Sequence, residues 1–162
     1  MKRASFADMN CSVAQALEVV GEWWTLLILR DAFLGVTRFE DFHQRLGISR
    51  NILAARLDGL IEHGVLERRT YSEHPPRHDY VLTAKGRDLW RVVGALRQWG
   101  DRWVSGRGHE PVVTVHDTCG KRTAPELHCN KCGERVKGND LHARPGPGAT
   151  DPDFVPAGGR PL

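Results

Sequence analysis

The stretch Gly47-Ile-Ser-Arg-Asn-Ile-Leu-Ala-Ala-Arg-Leu-Asp-Gly-Leu-Ile-Glu-His-Gly64 decides the fold. It has a start signal, a two-sided pattern and a stop. Ser49 predicts an N-cap, because its hydroxyl can accept from an early orphan amide. Leu53, Leu57, Leu60 and Ile61 recur at helical spacing and form one apolar stripe. Gly64 ends the helix, since glycine enters the left-handed C′ conformation without strain. The first turn and the face away from the stripe carry Arg50, Asn51, Ala55 and Arg56. Small, amide and guanidinium side chains near a helix N-terminus suit insertion in a DNA major groove. An ordinary amphipathic helix with a solvated face would show the same pattern, so the flanking sequence has to choose.

Upstream, Thr37 to Leu46 predicts a helix with Phe39, Phe42 and Leu46 on one side and Glu40, Asp41 and Gln44 outside. Gly47-Ile48 then turns the chain sharply, which makes a helix-turn-helix unit. Earlier still, Trp23 to Leu34 is apolar nearly all round and predicts a buried helix, within one subunit or between two. Ser12 and Gln15 fit a capping box for a short helix ending near Gly21, with Cys11 just before the cap. Downstream the period changes. Val65 to Tyr71 and His78 to Leu82 read as two strands, with Pro75 and Pro76 marking the hairpin tip. This hairpin needs the helices to lean on, and projecting from them it becomes a wing. Arg77 at the tip, with Arg68 and Arg69 at the base, would reach phosphate or a minor groove. A solvated charge run is the alternative. A helix-turn-helix followed by a basic hairpin favours the wing, because each part explains the other. Thr83 predicts the cap of a last long helix to about Val104. Leu89, Val92, Leu96, Trp99 and Trp103 form a 3-4-3-4 seam, which packs within one subunit or, as two tryptophans on one stripe favour, against a second chain.

Size and composition agree. The 162 residues suit one domain with a small appendage. The longest apolar run falls well short of the ~18 residues of a membrane span. No apolar signal region follows Met1, so a reducing cytoplasmic setting is expected, with no membrane partner. There, four cysteines point to metal ligands or reactive thiols rather than disulfides. The net charge of +3 says little by itself; its placement says more, because Arg68 to Arg87 holds five Lys/Arg against two acids.

Cys11-Ser-Val-Ala, Gly21-Glu-Trp-Trp-Thr-Leu-Leu-Ile-Leu-Arg-Asp, Arg38-Phe, Gly47-Ile-Ser, Leu57-x-x-Leu60-x-x-x-Gly64 and His74-Pro-Pro-Arg-x-x-Tyr80-x-Leu-Thr-x-x-Gly86 follow one another in order over residues 9 to 105. This series resembles the HxlR-type transcriptional regulators, relatives of the MarR group. The resemblance implies a winged-helix homodimer that binds duplex DNA and controls transcription. By position it implies DNA contacts from Arg38, Ser49, Arg50, Asn51 and Arg56, and from Arg68 and Arg77 of the wing. Many relatives carry lysine or arginine where Asn51 stands; asparagine would favour adenine. The resemblance also implies a redox role for Cys11, whose thiolate a helix N-terminus would stabilise. A small hydrophobe is the alternative role for that residue.

The tail departs from this pattern. His116, Cys119, Cys129 and Cys132 read H-x2-C-x9-C-x2-C, with a glycine after each pair. Two such turns facing each other supply four tetrahedral zinc ligands, as in a miniature zinc ribbon. Asp117 and His128 compete with His116 for the fourth place. Few apolar residues surround the pairs, so metal would supply the folding energy. Four protein ligands leave no open coordination position, which makes the site structural rather than catalytic.

The expected architecture is therefore mainly α with a small β-hairpin wing, dimerised through terminal helices. It comprises a flexible arm (1–10), a winged helix-turn-helix domain (11–107), a zinc-ribbon-like module (110–137) and a disordered tail (138–162). The expected function is sequence-specific transcriptional regulation by a homodimer, repression rather than activation, with release by an oxidant or a small electrophilic or aromatic effector. A docking module for protein or RNA without operator specificity is the alternative. No nucleophile–base pair and no phosphate-cradling glycine loop argues for an enzyme.

Overall fold

Ser49 opens the central helix as expected: its Oγ accepts from the Ile52 amide at 3.3 Å. The computed structural model describes residues 5–106 and 108–150. Helix α4 (Arg50–Glu62) buries Leu53, Leu57 and Leu60. Before it, α3 (Phe39–Leu46) ends on Gly47, whose φ of 65° only glycine adopts freely. Ile48 drops into the core and Ser49 caps α4, so three residues complete the turn. Helix α1 (Ser12–Val20) and helix α2 (Trp23–Phe33) also pack against α4. Ile28 and Leu29 of α2, Phe42 of α3 and the α4 leucines form one core with Val65 and Leu66.

Strands β1 (Leu66–Glu73) and β2 (Pro76–Leu82) make the antiparallel wing, with a register irregularity between Thr70 and Ser72. Pro76 opens β2 opposite Glu73 rather than lying beyond the ladder. A short bridge from Arg38 to Asp79 adds the entrance of α3 to the wing's edge. The result is a winged helix-turn-helix, as expected.

Three expectations need correction. Ser12 does not cap α1; Cys11 is the N-cap, extended at φ −146°, and its carbonyl accepts from Gln15. The Gln15 side chain donates to Met9 O at 3.4 Å instead of closing a capping box. Second, α2 is not buried all round. Its first residue, Trp23, is 87% exposed in the single protomer, so burial of the whole helix would take a second subunit. Third, the long terminal helix is broken. Helix α5 (Ala84–Asp88), capped by Thr83, stops at Leu89, and α6 (Trp90–Gly100) follows. The Leu89 amide bonds back three residues to Gly86 O, a tighter turn that breaks the α-helical ladder. Leu89 and Val93 reach the core through this break. A π-helical turn then spans Asp101–Ser105.

The chain divides into two compact units, Met1–Trp99 and Gly100–Leu162. The expected boundary lies later, near residues 107–110. Among described residues of the second unit no side chain is fully buried. Its order comes from two small hairpins: β3 (Thr114–His116) against β4 (Lys121–Thr123), and a second closed by the His128–Arg135 bridge. Of the expected flexible arm, the Phe6 amide donates to the Glu18 carboxylate. Of the expected disordered tail, Gly138–Asp140 forms a 3-10 turn, while residues 151–162 lie outside the described residues.

Candidate nucleic-acid interface

The outer surface of α4 follows from its period. Successive residues rotate by about 100°, so Asn51, Ala55, Asp58 and Glu62 share the face opposite the buried leucines. All four are exposed. Arg56 lies about 140° around from Asn51 on that wheel, at the edge of the buried stripe. Its guanidinium is only partly exposed and pairs with Glu22, the N-cap of α2, at 3.2 Å. One of its nitrogens, Nε, is buried without a partner. Arg56 thus ties α4 to α2, a role the sequence reading did not foresee because Glu22 is distant in the chain.

The other expected contact residues, Arg38, Arg50 and Arg68 among them, lie at the surface. Arg50 makes a bidentate pair with Glu40 at 2.6 and 2.7 Å, linking the starts of α4 and α3. That hydrogen bond, more than charge alone, holds the Glu40 carboxyl below its usual range and raises Arg50. Arg68, at the wing base, pairs with Asp58 at 2.5 Å. Arg38 sits 4.0 Å from Asp79 and lies over the Tyr71 ring at 5.0 Å. Asn51 and Arg77 differ from all these: both are exposed and neither side chain makes a hydrogen bond or ion pair to a described residue. Ser49 is also exposed, with its hydroxyl occupied by the cap.

Between the wing and the start of α3 runs an open groove of about 530 Å³, lined by Arg38, Phe39, Glu40, Tyr71, Arg77 and His78 among others. Its wall is held by Thr37, whose hydroxyl donates to Asp79 at 2.8 Å while its carbonyl accepts from the Tyr80 amide at 2.7 Å. Sequence reasoning singled out Arg38 and Arg77 but missed Thr37, Tyr71, His78 and Asp79. No local pattern joins residues 42 positions apart. The arrangement offers a polar helix start, a wing tip and a groove with two arginines, suited to a polyanion.

The comparisons agree with that geometry. Residues 19–107 match the family model described as HxlR-like helix-turn-helix. The chain belongs to the HxlR-like helix-turn-helix family. An uncharacterized HTH-type transcriptional regulator of Mycobacterium tuberculosis (strain H37Rv) is 47% identical over 137 residues, 85% of this chain and 87% of the relative. A match of that length runs past residue 107 into the tail. The crystal structure of the transcription-factor candidate PA1607 superposes with a TM-score of 0.76 at 36% identity, covering 86% of this chain and 98% of that one. The redox regulator HypR in its reduced form gives 0.53 at 30% identity, over 56% of this chain and 90% of its own. This HxlR-like protein is a transcriptional regulator with a helix-turn-helix DNA-binding fold, not an enzyme. No single helix among the described residues is long and apolar enough to cross a membrane.

Cys11 is partly exposed at the start of α1. In the second unit, the amides of Cys132 and Lys131 donate to Cys129 Sγ, with the Cys132 thiol adding a third bond. Together, against desolvation, they hold the Cys129 thiol below its usual range. His116 Nδ1 lies 3.5 Å from Cys119 Sγ. The two pairs stay separate: among the described residues no three His, Cys, Asp or Glu side chains form a metal-holding group.

Proposed function

We propose that this HxlR-like protein is a homodimeric, cytoplasmic repressor that reads an operator through the start of α4 and grips its backbone with the wing. The observation that carries this reading is the state of Asn51 and Arg77. Both stand exposed, with no side-chain bond to a described residue, on the two elements a winged helix presents to DNA. An amide on the outermost face of α4 suits adenine in a major groove, while a wing arginine suits phosphate. Homodimerisation is supported by exposed apolar residues on the terminal helices of the first unit. Val13 and Leu17 of α1 are 68% and 41% exposed; Val92, Leu96 and Trp99 of α6 are 48%, 51% and 58% exposed. Trp23 and Trp99 alone expose on the order of 300 Å², a large apolar cost for a lone protomer. A two-fold dimer would set its reading helices about one DNA turn apart.

The experiment is genome-wide footprinting of the purified protein, followed by titrations of the operator and of scrambled DNA. Asn51→Ala should cost about 1–3 kcal/mol at one base pair and leave scrambled DNA unaffected. Arg77→Ala should weaken both and lower the log–log salt slope by about 1. If neither variant changes DNA binding while a protein or RNA partner is retained, docking without operator specificity replaces this reading.

Release by electrophiles through Cys11 belongs to the same proposal. It is supported by the partial exposure of Cys11 at a helix start and by the likeness to HypR, a redox regulator. A quinone would be attacked by the Cys11 thiolate, forming a C–S bond and leaving a reduced, protonated ring. Quinone should release wild type from operator and leave Cys11→Ser bound; equal release of both ends the idea.

A further inference from the structure

The second unit holds two turns of the same construction. In the first, the Gly120 amide bonds to His116 O at 2.8 Å; in the second, the Gly133 amide bonds to Cys129 O at 2.8 Å. Both glycines are left-handed, at φ 65° and 77°. Each turn therefore brings a ligand-type residue back over the cysteine three positions later. Each is also closed behind by a short antiparallel ladder, β3–β4 in one case and Leu127 O to the Val136 amide in the other. Two copies of one turn, each ending in a pair of soft ligands, are more than a cysteine-rich loop.

The first pair has the spacing of two ligands on one ion. Bonds of about 2.05 Å to nitrogen and 2.3 Å to sulfur at a tetrahedral angle put the two ligand atoms about 3.6 Å apart. The distance from His116 Nδ1 to Cys119 Sγ is 3.5 Å. In the second pair the Cys129 amide bonds to Glu134 O at 2.8 Å while its carbonyl accepts from the Gly133 amide, so the backbone holds Cys129 and Cys132 in one turn. Packing does not explain the order of this unit: Val112, Val113, Val115 and Leu127 are all exposed, and no described side chain from residue 101 onward is buried. A segment with pre-shaped turns and no apolar core needs another source of folding energy.

The two pairs stand apart in this structure; we infer that one zinc ion draws His116, Cys119, Cys129 and Cys132 together, which joins the two turns into a closed structural site. The ion takes His116 through Nδ1 and three cysteines as thiolates; the protons of those thiols pass to buffer, and nothing is oxidised or reduced. His116 is preferred to His128 because its Nδ1 already lies 3.5 Å from Cys119 Sγ, the thiol of its own turn. With all four positions filled by protein, the ion has no place for substrate, so its role is to fold this unit.

The test uses the full chain, purified under reducing conditions without chelator. Wild type should carry one zinc per chain. Exchange for cobalt should give a tetrahedral spectrum with charge-transfer intensity for three thiolates. Cys119→Ser, Cys132→Ser and His116→Asn should each weaken zinc binding by more than about tenfold, since even outer-shell losses cost 10–100-fold. His128→Asn should keep the metal. The cobalt spectrum of wild type reads the ligand set even where a variant misfolds. An octahedral cobalt spectrum, zinc-free protein with four reactive thiols after reconstitution, or a Cys129–Cys132 disulfide as the stable form would overturn the assignment.

Discussion

The position of the wing depends on a glycine whose replacement has a calculable cost. Gly86 lies in the first turn of α5, against the carbonyl of Val65 just ahead of β1. A Cβ there would stand 2.1 Å from Val65 O and 3.0 Å from Leu82 Cδ2, whereas real Cβ atoms essentially never come within 3.0 Å of a neighbour. The obstacle is backbone, so it cannot swing aside. Val65 is fully buried, and its carbonyl is held by the Thr83 amide at 3.1 Å and more weakly by the Thr83 hydroxyl at 3.2 Å, whose nearer acceptor is Gly64 O at 2.7 Å. Admitting the methyl requires about 1 Å of separation between α5 and the wing root, which weakens both bonds. One full hydrogen bond at about 1 kcal/mol, with overpacking strain of about 1–3 kcal/mol, outweighs the gain of about 1 kcal/mol from alanine in a helix. The net loss is about 2 kcal/mol, or roughly 8–16 °C in melting temperature for a domain of this size.

Gly59 is the matched control. It lies inside α4 with nothing within 4 Å of an added Cβ. Gly59→Ala should therefore stabilise by about 0.5–1 kcal/mol. Both variants are melted at one protomer concentration by circular dichroism, because association shifts the apparent midpoint. A Gly86→Ala protein melting within about 4 °C of wild type would refute the argued contact.

Three further outcomes are expected. Arg45→Ala removes one of two arginines from the fully buried Asp31, leaving Arg30 at 2.9 Å. Because both arginines are half-exposed, the cost should be about 1–2 kcal/mol rather than that of an abandoned buried charge; urea melts showing no change would count against it. Leu96→Asp puts a charge on the exposed face of α6 and should turn a dimer into a monomer in sedimentation, with loss of operator affinity; a stable dimer would move the interface elsewhere. Glu40→Gln releases Arg50 from its bidentate partner, so all DNA should bind more tightly, with the log–log salt slope steeper by about 1. An unchanged slope would mean that Arg50 does not meet phosphate.

What was legible in the sequence is what repeats or punctuates. The stripe of Leu53, Leu57 and Leu60, the Ser49 cap and the flanking glycines sufficed for α4, and the change of period sufficed for the wing. The break at Leu89 was not legible. A 3-4-3-4 spacing tracks which residues share a face and is blind to a single tight turn, which here lets Leu89 and Val93 reach the core. The Cys11 cap was missed for a related reason: Ser12 is the better capping residue by type, but the extended backbone falls one residue earlier. Ion pairs were the least visible. Arg50 finds Glu40 and Arg68 finds Asp58 ten positions away, and Arg56 finds Glu22 across two helices. Fold and candidate surface could be read; the electrostatic state of that surface could not.

That state bears on how such a surface discriminates. Arg38, Arg50 and Arg68 stand beside Asp79, Glu40 and Asp58 rather than facing solvent as free cations. Exposed ion pairs are weak and exchange readily, so a phosphate can take each guanidinium. The displaced carboxylate then stays close to the duplex and opposes the gain. Attraction to arbitrary DNA is thereby reduced below what the arginine count suggests, in keeping with a net charge of only +3. The two groups without such a partner, Asn51 and Arg77, keep their full capacity. A duplex that also satisfies Asn51 recovers free energy that other sequences cannot, because a base contact adds to the matched site alone. On the proposed reading, carboxylates beside the arginines thus lower binding to operator and bulk DNA alike, and the gap between the two is left to base contacts such as that of Asn51.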